Sequence, residues 1–187
     1  AFGDTTPLNG TPQDTIQRPK TIYGVTKVTG ELLGDYYFER FGVDARSVRF
    51  PGLISNVCPP GGGTTDYAVD IYYAAVKGEQ FSCPLKKGTM LDMMYMPDAL
   101  DAAINIMEAD PTKLIHRNSF NVTEIRKHKP DFKMIYELDE TRQKIADSWP
   151  NWMDDSCARA EWGFAPKFDL QSMTVDMLDK LSKKFGK

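Results

Sequence analysis

Residues 21–54, TIYGVTKVTGELLGDYYFERFGVDARSVRFPGLI, decide the fold of this chain, because a helical pattern passes directly into a strand pattern. Apolar residues recur at spacings of three and four from Val25 to Tyr37, which predicts a helix over Thr21–Phe41 that stops at Gly42. Alternation over Ala45–Phe50 then predicts a strand that ends at Pro51-Gly52. A helix followed at once by a strand is typical of an α/β protein.

The remainder of the chain repeats this alternation of helices and strands. A helix is expected over Thr65–Lys77 with Thr64 or Thr65 as its N-cap, and another begins at Pro97 with the apolar set Leu100, Ala103, Ile104 and Met107. Further strands are predicted over residues 81–85, 90–96, 118–122 and 132–137, and further helices over 140–146, 154–162 and 170–185. The pattern predicts an α/β sheet and no β-sandwich.

Composition excludes several functional classes. The chain has 187 residues with 23 basic and 26 acidic side chains, so its net charge of −3 argues against a nucleic-acid binder. No apolar run approaches the ~20 residues that span a bilayer. Three scattered cysteines predict free thiols in a reducing compartment. The histidines, His116 and His128, stand in charged surroundings and are expected at the surface, so no metal site is predicted.

The sharpest chemical feature is the pair Tyr23 and Lys27. At a spacing of four near a helix start, the two side chains project from one face. An ammonium beside a phenol stabilises the phenolate, which suits the tyrosine to general acid/base work. The spacing alone is common, and a solvated surface pair is the alternative interpretation.

A glycine run, Gly61-Gly62-Gly63, precedes the second predicted helix together with Thr64 and Thr65. The amides and hydroxyls of such a helix start favour an anion, including an amino-acid carboxylate. A plain N-cap behind a flexible loop explains the same residues. Trp149, judged from the sequence alone, is a candidate core tryptophan.

Five segments together are similar to the extended short-chain dehydrogenase/reductase family, and most closely to its NAD-dependent L-threonine 3-dehydrogenase branch. These segments are Tyr23–Lys27, Arg49–Ile54, Pro60–Val69, Met93–Asp98 and Ile145–Pro150. The resemblance implies the C-terminal part of a Rossmann-type doubly wound parallel sheet plus a small α/β substrate lobe. Residues 1–55 would belong to the dinucleotide-binding domain, and 56–187 to the substrate lobe with segments returning to the core.

The resemblance also implies roles for individual residues. Tyr23 would be the base in oxidation of L-threonine to 2-amino-3-oxobutanoate, and Lys27 would hold the nicotinamide ribose. NAD would further contact Phe50, Pro51 and Leu53, the last through its backbone. Substrate would contact Gly63, Thr64, Thr65 and Trp149, with Thr65 the preferred contact among the loop residues. The Tyr23–Phe41 helix would pair with its mate in a homodimer, in the cytoplasm or the mitochondrial matrix.

Two departures from the family pattern qualify this interpretation. The glycine-rich pyrophosphate turn of the family is absent, so we expect the chain to be the C-terminal part of a larger enzyme and inactive alone. Family members carry about ten more residues after Thr123 than this chain does. The shorter segment here leaves only a short helix before Lys129-Pro130. A nucleotide-sugar epimerase or dehydratase of the same family, or a non-enzymatic module, remains an alternative.

Overall fold

The protein is described by a computed structural model that covers residues 1–124 and 134–186. Eight short strands alternate with six helices within these residues. The strands are β1 Asn9–Thr11, β2 Val48–Arg49, β3 Gly52–Ile54, β4 Phe81–Cys83, β5 Met93–Tyr95, β6 Phe120–Asn121, β7 Met134–Tyr136 and β8 Trp152–Met153. The helices are α1 Ile22–Phe41, α2 Tyr67–Lys77, α3 Met96–Glu108, α4 Glu140–Asp147, α5 Ser156–Trp162 and α6 Leu170–Lys184.

The strands associate as parallel pairs, which confirms the predicted α/β class. The pairs are β1 with β8, β2 with β6, β3 with β5, and β4 with β7. Along β5 the side chains alternate between two hydrophobic clusters: Met93 and Tyr95 lie in the first cluster, and Met94 lies in the second. The β3–β5 pair is therefore covered on both faces, as in a doubly wound sheet.

Helix α1 begins and ends where the sequence predicts, for identifiable reasons. The Thr21 hydroxyl accepts a hydrogen bond from the Gly24 amide, and Gly42 adopts a left-handed conformation with φ of 69°. A side chain at Gly24 would place its Cβ 2.5 Å from Cβ of Pro19, so only glycine fits there. The first turn of α1 is thereby packed tightly against the preceding loop.

Several predicted details are wrong. The strand predicted over Ala45–Phe50 is reduced to Val48–Arg49; it ends before Pro51 as expected, but a further strand, β3, begins at once at Gly52. Neither Thr64 nor Thr65 caps α2, which starts after Asp66. The buried residues of α3 are Asp98, Ala99, Ala102 and Ile106, of which Ala99, Ala102 and Ile106 belong to the second cluster. Of the predicted apolar set on that helix, Leu100, Ile104 and Met107 are exposed.

Other sequence expectations fall partly or wholly outside the described residues. The short helix predicted after Thr123, His128, and the first two residues of the predicted strand over residues 132–137 lie there. Within the described residues, no helix is both long enough and apolar enough to cross a bilayer.

Candidate functional site

Tyr23 and Lys27 lie one turn apart on α1 with their side chains together. The Lys27 ammonium is 5.2 Å from the centre of the Tyr23 ring, and both side chains are exposed. Tyr23 keeps 69% of its surface accessible, so its hydroxyl is free to meet a ligand. The two side chains therefore share one face of α1, with the ammonium near the Tyr23 ring.

A buried ion pair joins α1 to the segment predicted to meet the cofactor. Arg49 at the end of β2 donates through Nε and Nη2 to the Glu31 carboxylate on α1, at 3.0 and 2.8 Å. The same guanidinium donates to the backbone carbonyl of Gln13 at 2.8 Å. Phe50 and Pro51 connect β2 to the first residues of β3, and we call this connection the Phe50–Leu53 turn. Since Phe50 follows Arg49 directly, the ion pair fixes α1 relative to the start of this turn.

The Phe50–Leu53 turn touches the predicted substrate loop at Gly52. A Cβ on Gly52 would meet the sulfur of Met93 and lie 2.9 Å from Cγ2 of Thr65. Only glycine permits this approach, and it brings Thr65 against the beginning of β3. Two segments predicted separately, one for cofactor and one for substrate, therefore adjoin each other.

The glycine loop is held by Asp66. Its Oδ2 accepts hydrogen bonds from the amides of Gly61 at 2.6 Å and Gly63 at 2.8 Å. The anion-binding amides expected in this loop are thus engaged by a carboxylate of the protein itself. Sequence reasoning missed this role of Asp66, although a carboxylate three residues after a glycine run is a usual turn-forming pattern.

A second unpredicted contact ties the end of β3 to α6. The hydroxyl of the buried Tyr95 donates to Oδ2 of Asp176 at 2.6 Å and accepts from the Asn56 side-chain amide. Burial, reinforced by the Asp176 carboxylate, raises the pKa of Tyr95 well above its ordinary value. Tyr95 is therefore a neutral hydrogen-bonding group that anchors the start of the loop after β3.

Trp149 is half-buried and packs against the first hydrophobic cluster. This position agrees with a partly core role. A separate groove of about 720 Å³ lies beside α1, lined by Val25, Val28 and Thr29 and by residues 4–5 and 17–20. It is not lined by Tyr23, Lys27 or Thr65, so it is distinct from the candidate site.

The three cysteines are free thiols, as predicted. His116, expected at the surface, is instead half-buried against the carboxylate of Glu161. The half-buried position of His116 has a simple cause. The buried Glu161 carboxylate needs hydrogen-bond donors, and His116 supplies one of them.

Known proteins are similar to this chain along nearly its whole length. No protein-family model matches it. An uncharacterised epimerase/dehydratase of Staphylococcus saprophyticus is 57% identical over 98% of the chain, which spans 61% of that relative. L-threonine dehydrogenase from Clostridium difficile superposes with a TM-score of 0.93 at 57% identity, covering 98% of this chain and 61% of its own. The match is to the C-terminal part of that Rossmann-type enzyme.

A GalE-like L-threonine dehydrogenase from Cupriavidus necator, in its apo form, superposes with a TM-score of 0.90 at 49% identity. That match covers 97% of this chain and 69% of the Cupriavidus chain. The holo form of the same enzyme gives the same TM-score of 0.90.

Proposed function

The chain belongs to the epimerase/dehydratase family that includes the GalE-like L-threonine dehydrogenases, and from that premise we propose that it serves NAD-dependent oxidation of L-threonine to 2-amino-3-oxobutanoate. The observation that carries the proposal is the exposed Tyr23–Lys27 pair in a chain 57% identical to a threonine dehydrogenase. Because the chain spans 61% of that enzyme, the activity is proposed for the protein extended by the amino-terminal part of its relatives.

The chemistry of the pair suits an alcohol oxidation. The phenolate oxygen of Tyr23 accepts the proton of the substrate hydroxyl while the hydride on the same carbon leaves, so the C–OH group becomes a carbonyl. Bound NAD would supply the hydride acceptor. Lys27 would stabilise the negative charge on the phenolate by its positive charge and would donate to the ribose hydroxyls of the cofactor.

The residues present fit the nicotinamide half of the cofactor. A phenol, an ammonium and an exposed Phe50-Pro51 edge lie in two segments that the Glu31–Arg49 pair holds together. The Leu53 backbone, directly after the tightly packed Gly52, would meet the carboxamide. The sequence contains no Gly-x-Gly-x-x-Gly run for the pyrophosphate, so this half of the site must come from elsewhere.

For the substrate we propose Gly63, Thr64, Thr65 and Trp149 as contacts. The support is strongest for Thr65, whose methyl group lies against Gly52 beside the proposed nicotinamide position. A hydroxyl on the same side chain suits the ammonium or carboxylate of an amino acid. Trp149 would supply an apolar wall from its half-buried position.

The decisive experiment is threonine-dependent NADH formation by the extended protein. Tyr23→Phe should abolish turnover while NAD still binds in calorimetry, because the base is lost and the ribose contacts of Lys27 remain. Tyr136→Phe, which alters an exposed tyrosine on β7, is the matched control and should keep full activity. Turnover retained by Tyr23→Phe contradicts the proposal.

A nucleotide-sugar epimerase or dehydratase is the second candidate, favoured by the family name of the Staphylococcus relative. Such enzymes bind a diphosphate, for which arginine is the usual partner. Between Ser55 and Met96 the chain has no arginine and only three lysines, Lys77, Lys86 and Lys87. Conversion of UDP-sugars without threonine oxidation would favour this candidate.

A non-enzymatic module is the third possibility. Titration of the 187-residue chain with NAD tests it, and we expect no micromolar binding because the pyrophosphate turn is missing from the sequence. If the extended protein, too, neither binds NAD nor oxidises threonine, a binding or scaffolding role replaces the enzymatic one.

We also propose a homodimer through α1. Its apolar side chains are exposed along the helix, including Leu32, Leu33, Tyr36, Tyr37 and Phe41. An exposed apolar stripe of this kind marks a surface that another protein covers. Leu33→Glu should shift sedimentation from dimer to monomer, whereas Ile115→Glu, at an exposed apolar residue elsewhere, should leave it unchanged.

A further inference from the structure

A cluster of metal-ligating side chains lies apart from the residues proposed for catalysis. His116, Cys157 and Glu161 each offer a ligand atom, and these atoms all lie within 4.8 Å of one another. Asp14 adds a fourth, with its Oδ2 3.7 Å from Nε2 of His116. Three chain segments converge here: the loop between β1 and α1, the segment before β6, and α5.

The orientation of His116 is fixed by Glu161. One oxygen of the buried Glu161 carboxylate meets Nδ1 of His116, and the other accepts from the backbone amides of Ile115 at 2.5 Å and His116 at 3.0 Å. A carboxylate at Nδ1 favours the tautomer with its proton there, which leaves the Nε2 lone pair free. A carboxylate behind a histidine is the usual support of a metal-bound imidazole.

The free Nε2 points towards two further donors. It lies 4.0 Å from Sγ of Cys157 and 3.7 Å from Oδ2 of Asp14. Two ligands of one tetrahedral zinc ion, with bond lengths of ~2.0–2.3 Å, are separated by roughly 3.4–3.6 Å. Both distances from Nε2 are therefore only a few tenths of an ångström longer than this separation, and the exposed side chain of Asp14 would reorient to approach Cys157 around one ion.

The charges around the thiol favour a cation. The carboxylates of Glu161, Asp154 and Asp14 all lie near enough to the Cys157 thiol to interact with it electrostatically. A cation at this position would interact favourably with the thiolate and with the surrounding carboxylates at once.

From this geometry we propose a binding site for a divalent transition metal of the zinc type, held by Nε2 of His116, Sγ of Cys157 and the carboxylate of Asp14. Glu161 is the positioning residue, and water completes a tetrahedral shell. The nitrogen and sulfur donors select zinc-type ions over magnesium and calcium, which prefer oxygen alone. The metal would have a structural role, because it would fasten the loop before α1 to α5.

Sequence spacing concealed this site. His116 and Cys157 are 41 positions apart, and no Cys-x-x-Cys or paired-histidine pattern announces them. The interpretation does not depend on the proposed threonine oxidation, since none of its residues belongs to that site. Its test therefore needs no enzymatic readout.

Cobalt(II) added to the chelator-treated protein is the first probe. We expect one equivalent to bind with a sulfur-to-cobalt charge-transfer absorption, which zinc(II) then displaces. Cys157→Ser should remove the absorption, whereas Cys58→Ser, at an exposed thiol elsewhere, should retain it. Glu161→Gln should weaken binding by about 10–100-fold, as for other residues that orient a ligand.

A second measurement uses the unmodified protein, so that it does not depend on a variant that fails to fold. Zinc(II) should protect Cys157 from iodoacetamide, as read by mass spectrometry, without protecting Cys58. Absence of cobalt absorption, or absorption unchanged by Cys157→Ser, overturns the proposal and leaves the His116–Glu161 pair as a structural contact only. Equal alkylation of Cys157 with and without zinc overturns it as well.

Discussion

Arg49 binds both carboxylate oxygens of Glu31, and this bidentate pair is a direct polar link between α1 and β2. Both side chains are largely buried, with 11% and 13% of their surface exposed. The contact matters because α1 has little apolar packing of its own, since only Gly24 in it is fully buried. The position of the Tyr23–Lys27 pair relative to the Phe50–Leu53 turn therefore depends on an ion pair.

Glu31→Gln should lower the free energy of unfolding by about 1.5–3 kcal/mol, because a charge-assisted hydrogen bond is lost in a largely buried setting. Urea unfolding of the variant and the parent protein measures the difference. Asp179→Asn is the matched control: its pair with Lys183 on α6 is exposed, so the loss should stay below about 0.5 kcal/mol. Equal losses in the two variants would contradict the importance of the buried pair.

The same pair predicts a pH dependence. Burial by itself would raise the pKa of Glu31, but the hydrogen bonds from Arg49 and Gln17 outweigh it and hold the pKa below its ordinary value of 4.5. A group with a depressed pKa in the folded protein stabilises it above the unfolded value and loses this effect as the pH falls. The difference in stability between the parent and Glu31→Gln should therefore be constant above about pH 5.5 and shrink below pH 4.5. A difference that grows on acidification would be the wrong sign.

Asp98 on α3 holds the segment that leads into α6. Its buried carboxylate accepts hydrogen bonds from the backbone amides of Lys167 at 2.9 Å and Phe168 at 3.0 Å. Asp98→Ala should lower the free energy of unfolding by about 2–4 kcal/mol, since two partly buried amides lose a buried acceptor at ~1–3 kcal/mol each with partial compensation by water. Thermal unfolding checks this, with Asp101→Ala as control because its pair with Lys167 is exposed.

Asp66 should govern the order of the glycine loop. Asp66→Ala removes the acceptor of the Gly61 and Gly63 amides, so limited proteolysis within residues 61–63 should become faster. If the loop closes over threonine, the KM for threonine should rise by several-fold with a smaller change in kcat. Asp70→Ala, on the same helix and outside these bonds, should change neither measurement.

The sequence was sufficient for features that depend on local rules. Helix α1 was predicted to within one residue, because the Thr21 cap, the apolar spacing and Gly42 all act within the segment itself. The α/β class followed from the alternation of elements. The predicted N-cap of α2 is wrong, because the helix starts after Asp66. The Asp66 carboxylate turns back to the amides of the preceding glycine loop and therefore does not cap the helix with its side chain.

Features made by distant residues were not predictable in this way. The apolar set of α3 was misassigned because the second cluster covers the Ala99–Ala102–Ile106 face instead, a tertiary preference that periodicity alone cannot resolve. The His116–Glu161 pair joins residues 45 positions apart, so no spacing rule connects them. Tyr95 was noticed as part of a motif, but its partner Asp176 lies 81 positions away.

That contact between Tyr95 and Asp176 supports a last prediction. Tyr95→Phe removes the hydroxyl that links the Asn56 amide to Asp176, while Lys180 remains 2.7 Å from the Asp176 carboxylate. Because Lys180 still pairs Asp176, the main loss is at Asn56 and in the attachment of the following loop to α6. We expect a decrease of about 1–2 kcal/mol in the free energy of unfolding, together with faster amide hydrogen exchange in residues 56–58. Tyr72→Phe, which breaks a 3.0 Å contact with Thr174 on the same helix, should lower stability without increasing exchange in that loop. Increased loop exchange in both variants would show that α6 as a whole, rather than the Tyr95 hydroxyl, holds the loop.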